Sequence, residues 1–165
     1  MSTRIRTAEL ADLPAINKLA HEVWPKAYAE VISAEQISFM LEWMYSPDSL
    51  QKQFESGIQF ILIESASKEL LGFASFRPLQ GAHWKLDKLY VRSDKQQTGL
   101  GRQLIEQVLS TVKSLNGTQL ELQVNRKNKA VGFYQKLGFH IAREEDFQIG
   151  NGFLMNDYIM ECPIP

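Results

Sequence analysis

Cysteine is almost missing: Cys162 is the single one in 165 residues. An internal disulfide is therefore excluded, which fits a reducing compartment. Cys162 stands beside Pro163 with no motif around it, so it reads as a packed thiol rather than a nucleophile. No apolar run approaches the about eighteen residues of a membrane span. The opening Met-Ser-Thr-Arg-Ile-Arg-Thr-Ala-Glu-Leu also lacks the apolar core of a secretion signal. Eighteen basic residues face nineteen acidic ones, for a formal net charge of −1. With no block of like charges, neither nucleic acid nor an anionic membrane is an expected partner. Linkers, repeats and low-complexity tracts are missing too, so one domain over 1–165 is expected. The expected protein is soluble and cytoplasmic. Two phosphate loops are absent as well. No Gly-x-x-x-x-Gly-Lys-Ser/Thr run exists, and Leu104 occupies the third glycine of a dinucleotide fingerprint, which excludes familiar ATP and NAD binding.

Hydrophobic residues make up 44% of the chain and charged ones 22%, as in ordinary globular domains with a real core. The most informative segment is Gln96-Gln97-Thr98-Gly99-Leu100-Gly101-Arg102. Before it runs the strand-like Leu86-Asp87-Lys88-Leu89-Tyr90-Val91. After it, Leu100, Leu104, Ile105, Val108, Leu109, Val112 and Leu115 form a helical stripe. A strand, a glycine turn and a helix N-terminus present free N–H groups and the positive end of a dipole, which suits a phosphate. Gly99 and Gly101 permit close backbone approach, and Arg102 adds a charge-assisted contact.

A second segment, residues 119–139, begins with the alternation Leu120, Leu122, Val124 of a strand. Asn128 is the expected N-cap of a short helix with Ala130, Val131, Phe133, Tyr134 and Leu137 inward, and Gly138 ends it. Together, Gln96-x-x-Gly99-x-Gly101 and Asn128-x-Ala130 followed by Phe133-Tyr134-x-x-x-Gly138-Phe139 resemble the GCN5-related N-acetyltransferase (GNAT) superfamily. Both of that family's signatures fit, in the family's order.

The remaining pattern predicts a strand near 3–7 and a helix over 12–22, then an irregular aromatic stretch at 24–33. Ser33 with Gln36 makes a capping box for a second helix, and Ser46-Pro47-Asp48 opens a third to about Glu55. Strands near 58–64 and 70–77 form a hairpin. Further strands are expected at 84–92, 118–125, 138–148 and 153–161. Within 84–92, Trp84 and Leu86 are out of phase with Leu89 and Val91. Either an extra residue sits near Asp87-Lys88, as in a β-bulge, or the strand is buried on both faces.

The resemblance implies an α/β, single-domain fold: a mixed, mostly antiparallel sheet of about seven strands, with a splayed parallel pair and helices on both faces. It implies acetyl-CoA as cosubstrate and no metal. In such proteins, main-chain groups of the bulged strand hold the pantetheine arm, here Leu89, Tyr90 and Val91. Gln96, Gln97, Thr98, Gly99, Leu100, Gly101 and Arg102 would cradle the pyrophosphate. Asn128 and Lys136 would lie near the lower part of the cofactor, Lys136 towards the 3′-phosphate.

The implied reaction is attack of an amine on the thioester, through an oxyanion, with CoA leaving as a thiolate. By resemblance Tyr134 protonates the sulfur; the bland reading is packing against Phe133. The amine must arrive uncharged, so a base or a water chain takes its proton. Asp87 is the first candidate base, unless it pairs with Lys85 or Lys88; His83 and Asp157 are the others. Glu144-Glu145-Asp146 reads as a solvated acidic turn, with attraction of a cationic amine as the alternative. In this family the acceptor is set by the counterparts of Trp24–Ser33 and Phe147–Tyr158, which hold Trp24, Tyr28, Phe147, Phe153 and Tyr158. Such a mouth suits a small amine, polyamine or amino compound, bound by a monomer or homodimer. The alternatives are a protein N-terminus or lysine as acceptor, or a non-catalytic acyl-CoA sensor.

Overall fold

Leu120, Leu122 and Val124 alternate with Glu121, Gln123 and Asn125, so strand β5 (Gln119–Asn125) has one buried apolar face and one half-buried polar face. It is joined by β1 (Thr3–Thr7), β2 (Gln59–Ser65), β3 (Leu70–Pro78), β4 (His83–Val91), β6 (His140–Gly150) and β7 (Phe153–Pro163). These form a seven-stranded sheet in the order β1-β2-β3-β4-β5-β7-β6. Its helices are α1 (Leu13–Tyr28), α2 (Ala34–Tyr45), α3 (Pro47–Glu55), α4 (Leu100–Ser114) and α5 (Ala130–Lys136). This computed structural model describes residues 2–96 and 98–165, so the expected contact at Gln97 lies outside the described residues. The mixed sheet with one parallel pair is as expected. Among the described residues, no helix is long and apolar enough to cross a membrane.

The chain divides into two compact units, Met1–Arg77 with Lys88–Val108, and Pro78–Asp87 with Leu109–Pro165. In the first, β1 and β2 pair antiparallel from Thr3↔Ser65 to Thr7↔Ile61, and β2 pairs with β3. Phe60, Ile63, Leu71, Phe73 and Phe76 are among its fully buried side chains. In the second, β5 is flanked by β4 in parallel and by β7 antiparallel, and β6 closes a hairpin with β7. The hairpin turns at Asn151-Gly152, both with positive φ (55° and 77°), the geometry Asn-Gly pairs favour.

Four local expectations need correction. Residues 24–28 are not irregular: α1 runs through Pro25 to Tyr28. Proline removes a helical N–H, but Trp24 is 3% exposed and stacks on Tyr28 with ring centroids 4.4 Å apart, so aromatic burial holds the last turn. Leu115 lies beyond the end of α4 and is 49% exposed, so it leaves the stripe. Glu144, Glu145 and Asp146 belong to β6, not to a turn, because they pair across to Tyr158, Asp157 and Asn156. Asn128 caps α5 from one position further out: its Oδ1 accepts from Ala130 N at 2.8 Å, while Lys129 occupies the cap position.

Gly117 marks the entry to β5. A Cβ there would stand 2.3 Å from Val112 Cγ1, 2.8 Å from Trp84 Cδ1 and 2.9 Å from the Val112 carbonyl oxygen. Gly117→Ala therefore overpacks a closed corner and costs about 1–3 kcal/mol. A thermal melt should show a drop of roughly 2–12 °C; an unchanged melt would show that this corner yields.

Candidate active site

In the first unit, the chain leaves β4 through a 3-10 turn at Ser93–Lys95 and reaches Gly99 with φ of 86°. A Cβ on Gly99 would meet nothing within 4 Å, so the turn opens onto free space. Leu100 is 1% exposed and pins the start of α4. Gln103 N bonds the Gly99 carbonyl at 3.1 Å. Helical geometry then leaves the N–H groups of Leu100, Gly101 and Arg102 without intrahelical acceptors. No acidic residue stands in this first turn. An open cradle, free N–H donors and no opposing carboxylate fit a pyrophosphate. Thr98 turns its hydroxyl to the Lys95 carbonyl. Arg102 is exposed and pairs with Glu106 at 2.8 Å, so for this guanidinium an anion competes with Glu106.

The same unit gathers five aromatic rings. Trp24 lies 5.9 Å from Tyr45 and 5.7 Å from Tyr90, and Phe73 lies 5.9 Å from Tyr90. The Tyr28 and Tyr90 hydroxyls meet at 3.0 Å. Trp24 Nε1 is buried without a hydrogen-bond partner. Lys88, 8% exposed, donates to Gln53 Oε1 at 2.6 Å and lies 5.3 Å from the Tyr45 ring centre. Leu89 and Tyr90 are half-buried and Val91 is buried. Arg92 N bonds Leu71 O at 2.8 Å, so the end of β4 stays attached to β3.

In the second unit, the parallel ladder covers only His83–Leu86 against Gln119–Leu122. Asp87 follows directly and is half-buried. The neighbours of β4 change at this point. Trp84 sits at the Val112 and Gly117 corner, whereas Lys88 and Tyr90, of equal parity, meet side chains of α1, α2 and α3.

Tyr134 follows from β5 through the Asn125–Lys129 turn. It is 9% exposed, edge-on to Phe133 (5.3 Å) and Phe139 (5.7 Å). Asn128 is half-buried and Lys136 exposed. His83 is exposed at the start of β4, as a turn residue would be. Cys162 is buried, which pushes its thiol up and suits packing.

Asp157 is 2% exposed in the middle of β7. Its Oδ2 accepts from Gln123 Nε2 at 3.3 Å, near the long limit, and Gln123 Oε1 accepts from Lys85. Burial holds this carboxyl above the usual carboxylate range, opposed by the Gln123 N–H and by the charges of Arg126 and Lys85. Raised pKa means that the fold penalises the charged form. The penalty is absent below the ordinary carboxylate value and present once pH exceeds the raised one. Asp157→Asn should therefore raise the melting temperature at pH 7, and the gain should shrink as pH falls into the ordinary carboxylate range. A mutant less stable than wild type at pH 7 would contradict this.

Sequence reading singled out Asp157 but not its setting. Lys85 and Glu145 were named for other roles, and Gln123 was not singled out, although the alternating polar residues of β5 carried the signal. Of the expected acceptor aromatics, Trp24 and Tyr28 fall in the first unit, and Phe147, Phe153 and Tyr158 in the hairpin of the second.

Residues 28–162 match a family model described as an acetyltransferase (GNAT) domain. The spermidine N(1)-acetyltransferase of Thermoplasma acidophilum is 26% identical over 160 residues, covering 94% of this chain and 96% of that protein. An L-methionine sulfoximine/L-methionine sulfone acetyltransferase of Pseudomonas aeruginosa is 26% identical over 165 residues, covering 93% and 88%. The crystal structure of the paiA N-acetyltransferase of Thermoplasma acidophilum in complex with coenzyme A superimposes with a TM-score of 0.84 at 27% identity. It covers 99% of both chains.

Proposed function

The chain belongs to the GNAT family and is an N-acetyltransferase, and from that premise we propose that it moves the acetyl group of acetyl-CoA onto a small primary amine, such as a polyamine or amino compound, by direct attack in a ternary complex. Residues 1–165 act as one catalytic domain. The pyrophosphate is held by the open turn at Gly99 and the free N–H groups that begin α4, with Gln96, Thr98 and Arg102 around it. Main-chain groups of Leu89, Tyr90 and Val91 take the pantetheine, while Asn128 and Lys136 flank the lower part of the cosubstrate.

The observation that carries this reading is Tyr134, a phenol on the helix that follows β5, nine-tenths buried against Phe139. Asp87, the first residue past the end of the parallel ladder, accepts the proton of the acceptor ammonium. The freed nitrogen bonds to the acetyl carbon and sheds its second proton to solvent as the tetrahedral intermediate collapses and the carbon–sulfur bond breaks. Tyr134 gives its phenolic proton to the departing sulfur and regains one from solvent. A phenol near pKa 10 suits a thiolate leaving group. That relatives named for spermidine and for methionine sulfoximine both use small amines supports the acceptor class.

Initial rates measured over a grid of acetyl-CoA and amine concentrations test direct attack. Intersecting double-reciprocal lines are expected. Parallel lines would indicate an acetylated enzyme and end the ternary-complex reading.

A further inference from the structure

The register of the second unit places a set of charges on one side of its sheet. Leu120 pairs with Cys162, and Gly138 at the end of α5 approaches the Cys162 sulfur, so α5 covers the Leu120 face. Trp84, in register with Leu120, brings the end of α4 to that same face. The opposite face carries Glu121, Glu145, Asp157 and Glu161, against Lys85 and Arg143. Two like-charged pairs stand directly across from one another, Glu121↔Glu161 and Asp157↔Glu145. Such pairs destabilise a sheet. Gln119 and Arg143 take up Glu161 and Glu145 respectively. Asp157 differs: it is only 2% exposed, and the bond its Oδ2 accepts from Gln123 is long, at 3.3 Å. Removing a carboxylate from water with so little compensation is costly, and such groups mark functional sites.

We propose that this face, with Asp157 as its fixed negative charge, is the acceptor-specificity surface and selects amines that carry a second positive charge. It rests on the acetyltransferase reading. Asp157 acts from beneath the surface, as a positioning residue. It holds the half-buried Gln123 amide and sets the potential that Gln123 and Glu145 present to a cationic ligand. A diamine or polyamine thus gains over a monoamine or a neutral amino acid, and Lys85 opposes the effect.

The test is calorimetric titration of spermidine into the CoA-loaded protein, with spermidine and monoamine KM values from thiol release. Asp157→Asn should weaken spermidine binding and raise its KM by roughly tenfold or more, as for loss of one poorly screened charge. Monoamine KM, CoA affinity and melting temperature should hold or, for the last, rise. Lys85→Gln should shift spermidine affinity the opposite way, a few-fold tighter. Unchanged spermidine affinity in both variants overturns the proposal, as does an equal loss for every amine or a loss that follows a collapsed melt. Calorimetry needs no turnover. A wild-type chain that releases no thiol with any amine, yet binds spermidine through Asp157, would therefore sink the catalytic reading and leave this one standing.

Discussion

Gly99→Asp abolishes measurable CoA binding, with a loss of at least about a hundredfold expected. Two effects combine. Gly99 sits at φ of 86°, where an L-residue pays about 1–2 kcal/mol. The added side chain meets no protein atom within 4 Å of its Cβ, so it extends into the space assigned to the pyrophosphate. A carboxylate there opposes a dianionic ligand at the positive end of a helix. Gly99→Ala carries the same backbone strain without the charge and should lose far less affinity. Calorimetry with CoA on both variants, each checked for its melting temperature, separates the effects. A folded Gly99→Asp that binds CoA like wild type would remove the anion site from this turn.

Tyr134→Phe should lower kcat by roughly ten- to a thousandfold, within or just below the usual contribution of a positioned proton donor. The substitution deletes one hydroxyl and keeps the ring against Phe133 and Phe139. Stability and CoA affinity should therefore change little, because the proposed site assigns most of that affinity to the Gly99 turn and the start of α4. The loss should shrink with acyl donors whose thiol leaving group is more acidic, since these need less help from a proton. Wild-type kcat in the mutant would make Tyr134 a packing residue and leave protonation to water. A loss that merely follows a collapsed melt would say nothing about catalysis, so the melt is measured alongside the rate.

Much of this was legible in the sequence because local chemistry and tertiary demands coincide. The stripe from Leu100 to Val112 and the glycines at 99 and 101 specify a turn and a helix wherever they are placed. The Leu120, Leu122, Val124 alternation does the same for β5. Residues 24–28 misled, because Pro25 signals a helix end and only the distant partners Tyr45 and Tyr90 hold the final turn of α1. Glu144-Glu145-Asp146 misled for a similar reason. Three acidic residues read as a turn, yet Arg126 bonds Asp146 at 2.6 Å and the ladder to β7 absorbs the run into a strand. The phase clash along 84–91 falls where the parallel pairing of β4 with β5 ends, at Leu86. Asp157 could be named but not understood, since its meaning depends on which strand lies opposite. Register between β5 and β7, which are far apart in the chain, is a long-range property that no local pattern encodes.

The most direct measurement is release of free thiol from acetyl-CoA by the purified chain across a panel of amines, with the acetylated product identified by mass spectrometry. Amine-dependent thiol release, matched one to one by N-acetylated product, is the expected result. Tight CoA binding without turnover on polyamines, amino compounds or peptide amines would contradict the catalytic account and leave an acyl-CoA-binding protein.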